Sequence, residues 1–201
     1  MDKLPIHGLI IAGGNSTRMG SDKALLPIGG RPLLAHMVTG LHRLCQSVTI
    51  SAGSEERIEL YRKRLAECDT EGWQDVSFAS DVYPGCGPLA GLQAGLAQMP
   101  EGYAFIIACD MPQISKSLLK RMLERADGEV DAVHAAGQPF HALVHTRAAA
   151  AAGQLLEQGD YRFMRLMSQL KTVTVEPRTE AESQAFENLN TPEAYARYLR
   201  E

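Results

Sequence analysis

Apolar positions recur along this chain with two alternating periods. Residues 5–12 form a short apolar run, densest at Leu9-Ile10-Ile11 and closed by Gly13-Gly14, the pattern of a buried strand. After a second glycine pair, Gly29-Gly30, the period changes. Leu33, Leu34, Met37, Val38, Leu41 and Leu44 fall on one helical face, and Pro32 suits a first turn. Residues 48–52 predict a strand, and 55–68 a charged helix with Ile58, Leu60, Tyr61 and Leu65 as its apolar contacts. Residues 76–79 read as a third strand, and 81–88 as a loop rich in Gly and Pro. A helix of small residues opens at Pro88, and 103–109 is an apolar run suited to a central parallel strand.

The second half continues the alternation. Ser115 is placed to N-cap a helix. Residues 130–136 and 139–145 predict two strands joined at Gly137-Gln138, a candidate antiparallel pair. The alanines at 148–152 predict a helix by propensity alone. A helix over 160–170, a strand over 173–175 and a strand-like stretch over 186–190 follow. Thr191-Pro192-Glu193 then opens a last helix. Strands alternating with helices predict an α/β fold with a mostly parallel sheet and a small antiparallel addition. Ligands in such sheets bind beyond the carboxyl ends of the strands. The Gly13-Gly14 loop, Asp81 and Asp110 should therefore meet at one edge.

Composition narrows the class. The chain has 201 residues, 45% of them hydrophobic, and no linker-like stretch divides residues 1–201, so one domain is expected. A net charge of -4 leaves no electrostatic footprint for nucleic acid. No apolar run approaches the ~18 residues of a membrane span. Residues 5–12 imitate a secretory signal but lack a cleavage pattern. Cys45, Cys68, Cys86 and Cys109 form no C-x-x-C pair, and reduced thiols in the cytoplasm are expected. Cys86 and Cys109 read as small packing residues.

The candidate chemistry lies after the first strand. Gly13-Gly14 lets backbone approach a ligand, free N–H groups in such a turn form an anion site, and Arg18 and Lys23 add positive charge. The group suits a polyphosphate. The ATPase phosphate loop is excluded because Gly20 is followed by Ser21-Asp22-Lys23, and no G-x-G-x-x-G is present. Asp110, following an uncharged strand, needs a partner or a metal, though a capping acid is the alternative. Asp81 reads equally as a turn-initiating acid. His141 and His145 lack the companions of a metal site and read as ordinary polar residues. Arg162 and Arg165 read as a solvated helix face.

The stretch Leu9-Ile10-Ile11-Ala12-Gly13-Gly14-Asn15-Ser16-Thr17-Arg18-Met19-Gly20-Ser21-Asp22-Lys23 closely resembles the L-A-G-G-x-S-x-R-M-G-x-D-K signature of the molybdenum cofactor guanylyltransferases. Ile11 stands where that family usually has Leu. Cys109-Asp110-Met111-Pro112 resembles its C-D-x-P segment, Gly87-Pro88-Leu89-Ala90-Gly91 its G-P-L-A-G segment, and Asn188-Leu189-Asn190-Thr191-Pro192-Glu193 its N-x-N-T-P-E segment. The resemblance implies a three-layer, Rossmann-like nucleotide-diphospho-sugar transferase fold. It implies transfer of GMP from GTP to the phosphate of molybdopterin or molybdenum cofactor, with release of pyrophosphate. Lys23, Arg18 and Asp110 would be catalytic, with Mg2+ on Asp110. Ile11, Ala12, Gly13, Gly14, Lys23, Ser51, Asp81, Pro88, Leu89, Ala90, Gly91 and Asp110 would bind nucleotide, and Asn188 and Asn190 the pterin substrate. Ser51 departs from the Asn of many relatives, which weakens any base or ribose contact there. The resemblance leaves room for other molybdenum cofactor biosynthesis proteins as partners. A nucleotidyltransferase using CTP or a sugar phosphate, or a non-catalytic GTP-binding regulator, are the alternatives.

Overall fold

The first apolar run becomes the strand beside which the others are laid. The computed structural model describes residues 3–13, 22–189 and 191–199. In chain order it runs β1 (Leu4–Ile11), a hairpin of β2 (Pro27–Ile28) and β3 (Arg31–Pro32), α1 (Leu33–Leu44), β4 (Cys45–Gly53), α2 (Glu55–Glu67), β5 (Val76–Ser80), α3 (Pro88–Ala97) and β6 (Tyr103–Ala108). The second half adds α4 (Lys116–Leu123), β7 (Ala132–Ala135), β8 (Gln138–His145), α5 (Ala148–Glu157), α6 (Phe163–Gln169), β9 (Thr172–Val175), α7 (Glu180–Gln184) and α8 (Pro192–Tyr198).

The main sheet has seven strands in the order β5-β4-β1-β6-β8-β7-β9. Its neighbours pair in parallel except at β8, which is antiparallel to both β6 and β7. The expected antiparallel pair is thus present, with β8 inserted between β6 and β7. The β2–β3 hairpin is antiparallel too, and turns at Gly29 and Gly30 with φ of +54° and +82°, a turn that side chains would strain.

Strand alternation divides the core into two apolar clusters. Ile6 and Ile10 of β1 join Leu33, Ile58 and Leu118 from α1, α2 and α4. Leu9 and Ile11 join Leu92, Leu155 and Leu166 from α3, α5 and α6. Consecutive strand residues face opposite sides, so helices cover both faces and the fold has three layers. Helix α3 sits unusually close to the sheet: a Cβ on Gly95 would stand 2.4 Å from Leu9 Cδ1, and one on Gly91 2.7 Å from Ser51 Oγ. The small residues seen in the sequence make that approach possible.

Four expectations need correction. Leu60 is 37% exposed, because Ile58, Tyr61 and Leu65 form the buried stripe of α2 and Leu60 lies off it. The helix expected over 160–170 is shorter, Phe163–Gln169, since Asp160 holds Arg162 in an extended entry turn. Residues 186–189 form no strand. Phe186 N–H closes a turn onto Ser183, Leu189 N–H donates to the Asp110 carbonyl, and Leu189 is buried as an anchor. Helix α7, capped by Thr179, went unread in the sequence; Glu182 is buried and accepts bonds from Ser117, Arg121 and the Arg178 N–H. The two histidines are the fourth case. Both are buried, and His141 is only 1% exposed.

His141 presents its ring edge-on to Phe105 and Phe186, at 4.9 and 5.1 Å between centroids. Neither ring nitrogen has a hydrogen-bond partner among the described residues. Burial pushes its pKa down to about 4. An unfolded imidazole titrates near 6.5. The unfolded state therefore takes up a proton below pH ~6.5 that the folded state refuses until about pH 4, so stability is whole above 6.5 and lost as pH falls. Between pH 7 and pH 5 His141 should cost about 2 kcal/mol. Urea unfolding at both pH values should show a smaller acid loss in His141→Leu by that amount; equal losses in the two proteins would show that the ring is solvated.

Candidate functional site

Residue Ile11 ends β1 with a neighbour on each side. It stands opposite Ser51 of β4 and Ala108 of β6. The ladder runs on past the strand ends: Ala12 N–H donates to the Ser51 carbonyl at 2.8 Å, and Cys109 N–H to the Ile11 carbonyl at 3.1 Å. Gly13 then passes directly over β4. A Cβ there would meet Gly53 N at 3.0 Å and Gly53 Cα at 3.1 Å, so the position admits only glycine without a backbone shift. Asp81 N–H bonds to the Gly53 carbonyl at 3.1 Å, which draws the end of β5 to the same level.

Asp22 and Lys23 return the chain to this edge. Asp22 caps a 3-10 turn, Lys23–Leu25, its Oδ1 accepting the Ala24 N–H at 3.0 Å. Its Oδ2 accepts from Arg57 Nη2 at 2.9 Å, Arg57 Nε at 3.3 Å and the Tyr61 hydroxyl at 2.8 Å. Arg57 and Tyr61 lie on α2, one helical turn apart. Burial, and then the Asp22 charge, raise the Tyr61 pKa, so the hydroxyl remains a donor. With its carboxylate so engaged, Asp22 directs Lys23 across the cleft, where Nζ lies 3.4 Å from Asp110 Oδ2. Those two side chains keep 21% and 23% of their surface exposed, enough to meet a ligand.

Two adjoining cavities share Gly13. One, of about 310 Å³, is lined by Ile11, Ala12, Gly13, Asp22, Lys23, Pro88, Asp110 and Asn188, with Gln138 and Phe140 beyond. The other, of about 380 Å³, lies between Gly13 and the loop after β5, where Arg57 and Asp81 face it. Burial raises the Asp81 pKa, opposed by the Ser51 hydroxyl, 3.5 Å away, and by Arg57. Cys109, buried beside the first cavity, has its thiol pKa raised by burial and then by Asp22 and Asp110, which suits packing and not nucleophilic attack.

The expected residues divide into three groups. Ile11, Ala12, Gly13, Lys23, Asp81, Pro88, Asp110 and Asn188 reach the cavities. Ser51, Leu89, Ala90 and Gly91 lie buried beneath them: Ser51 turns its hydroxyl to Asp81, and Leu89 and Ala90 point into the core. Gly14, Arg18 and Asn190 fall outside the described residues. Reading the sequence also missed Arg57, Tyr61, Gln138 and Phe140. Arg57 read as one charge of a charged helix and Tyr61 as one of its apolar contacts, because their shared partner Asp22 is more than 30 residues away. Arg162 is exposed and paired with Asp160, as a surface face should be.

Among the described residues, no group of three His, Cys, Asp or Glu side chains could hold a metal. Among the described residues, Asp110 offers the cavity a hard carboxylate whose side-chain bond is the one from Lys23. Mg2+ binds through one or two carboxylates with substrate phosphates and water, so this donor set fits it.

Residues 8–173 match a family model described as the MobA-like NTP transferase domain. A probable molybdenum cofactor guanylyltransferase from Natronomonas pharaonis is 32% identical over 194 residues, covering 92% of this chain and 93% of its own. A molybdenum cofactor guanylyltransferase from Pseudomonas aeruginosa is 34% identical over 206 residues, covering 96% and 94%. The crystal structure of molybdopterin-guanine dinucleotide biosynthesis protein A from Archaeoglobus fulgidus superposes with a TM-score of 0.80 at 20% identity, covering 97% of each chain. A 2-C-methyl-D-erythritol 4-phosphate cytidylyltransferase from Thermus thermophilus reaches 0.65 at 16% identity, covering 98% and 100%. These structural likenesses show a shared fold.

The Asp22 junction can be tested directly. Asp22→Asn keeps the shape and removes the anion facing Arg57 and Tyr61. Hydrogen bonds to charged groups contribute roughly 1.5–3 kcal/mol, and partial exposure screens them, so a loss of about 1–2 kcal/mol is expected. Urea denaturation measures it; an unchanged midpoint would show that Arg57 and Tyr61 do not depend on this charge.

Proposed function

Because the chain belongs to the MobA-like NTP transferase family, we propose that it transfers GMP from GTP to the terminal phosphate of molybdopterin or molybdenum cofactor. The observation that carries this reading is the Lys23–Asp110 pair in the cavity where β1 and β6 end, beside the bare backbone of Gly13. An acceptor phosphate oxygen attacks the α-phosphorus, the bond from that phosphorus to the bridging oxygen of the β-phosphate breaks, and pyrophosphate leaves with the electron pair. A phosphate monoester is already ionised near neutral pH, so no protein nucleophile or base is required. Catalysis then rests on positioning and on neutralising charge.

Four of the described residues have a part in that scheme. Lys23 neutralises the α-phosphate and the departing pyrophosphate. Gly13 lets the nucleotide lie against the end of β1. Asp81 faces the nucleoside in the second cavity, held in place by Ser51. Asp110 would hold Mg2+, which when bound offsets phosphate charge. Arg18 and Gly14 are proposed to hold the outer phosphates, following the family signature. We place the reaction in the cytoplasm; all four cysteines are free thiols, and among the described residues no helix is long and apolar enough to cross a membrane.

A pyrophosphate-release assay with each NTP, with and without molybdopterin, tests the reading. GTP should lead CTP by at least tenfold in kcat/KM, about 1.4 kcal/mol. A lead for CTP would make the protein a cytidylyltransferase. GTP binding without pyrophosphate release would leave a regulator.

Lys23→Ala and Asp110→Asn each remove one charge aimed at the reacting phosphates. Each should lower kcat by roughly 10²–10³. Raised magnesium should recover part of the Asp110→Asn loss and none of the Lys23→Ala loss. Activity of either variant within threefold of wild type would remove that residue from the mechanism.

A further inference from the structure

The transfer scheme uses the charged side of the first cavity and leaves its far wall without a role. That wall is Gln138 and Phe140 at the start of β8, with Asn188 beside them. Because β8 runs antiparallel to β6, its first residues arrive where β6 ends; His141 stands opposite Ile107, one residue after Phe140. Gly137, at φ +68°, makes the turn that delivers Gln138 to this edge. The backbone of the wall lies one strand beyond Asp110, roughly 5 Å along the sheet edge.

The wall is built differently from the phosphate side. Phe140 packs against both apolar clusters, which lie on opposite faces of the sheet, so its ring closes the end of the sheet. Phe163 of α6 stacks on it at 4.2 Å between centroids with a 33° tilt. The ring is therefore supported, yet it stays half-buried and lines the cavity. Gln138 and Asn188 add carboxamides, each able to donate and to accept. On the Asn188 side, the backbone is held where it is by Leu189 N–H, which donates to the Asp110 carbonyl at 2.8 Å. An aromatic surface with neutral amides suits a flat heterocycle carrying N–H and C=O groups on one edge, and offers a phosphate no cation to offset its charge.

We infer that Phe140 and Gln138, beside the Asn188 that the family signature already gives to the pterin, recognise the planar ring of the acceptor. Phe140 packs against the ring, and the carboxamides bond to its amide-like edge. The phosphate end of the same molecule then lies toward Asp110 and Lys23, one strand back, where the nucleotide's α-phosphate is expected. The inference rests on the acceptor being of the molybdopterin class, as proposed above.

Steady-state kinetics of the full-length protein with GTP, magnesium and molybdopterin test it in Phe140→Leu, Phe140→Tyr and Gln138→Ala. Phe140→Leu and Gln138→Ala should each raise the KM for molybdopterin at least tenfold, with the KM for GTP within twofold of wild type. Phe140→Tyr retains the ring and should stay within threefold on both. An active wild type whose molybdopterin KM is unmoved by Phe140→Leu and Gln138→Ala overturns the ring site and leaves the transfer reading standing. A rise confined to the GTP KM overturns it too, by giving the wall to the nucleotide. A wild type that transfers nothing to molybdopterin from any NTP sinks both.

Discussion

The parallel register of three strand ends is the constraint on which the site depends. Ile11 lies level with Ser51 and with Ala108, and the ladder continues beyond all three through Ala12 and Cys109. A parallel ladder fixes both the spacing and the level of its strands. Whatever follows β1, β4 and β6 must therefore emerge side by side, a strand apart. Gly13 and Asp110 do so, beside the point at which β4 closes with Gly53. The absence of a Cβ at Gly13 is a consequence of that register, since the backbone of β4 occupies the space.

A second requirement is to bring a cation back to this edge after the glycine stretch. Asp22 is held by two side chains of α2 while it caps the turn that begins with Lys23. A carboxylate fixed by an arginine fork and a hydroxyl has little freedom, and the next residue inherits its orientation. Arg57 also faces the second cavity, so one helix supports both parts of the cleft.

The cleft is divided chemically as well as spatially. Its middle carries Lys23, Asp22 and Asp110, suited to phosphates and a hard cation, while the stretch beyond β6 is aromatic and amide-bearing. The reversal of β8 produces this division. A seventh strand parallel to the rest would have brought a carboxyl end here; the antiparallel one brings Gln138 and Phe140 instead.

The hydrophobic periods alone determined the α/β class, the order of most elements, the antiparallel pair and the edge where Gly13, Asp81 and Asp110 would meet. Those are consequences of local physics: which residues alternate, which fall on one helical face and where glycines interrupt. The long motif after β1 pointed to phosphate chemistry because its residues are contiguous. Periodicity failed at residues 186–189, where Leu189 is buried and Phe186 half-buried as anchors of an irregular segment and not as one face of a strand. It also could not show that His141 is buried between aromatic rings, since a strand residue's burial depends on what covers the sheet. The Asp22 junction with Arg57 and Tyr61, the burial of Ser51 beneath Asp81, and the wall of Gln138 and Phe140 join residues that are distant in the chain. No local signal encodes such pairings; packing α2 and reversing β8 against the sheet decided them.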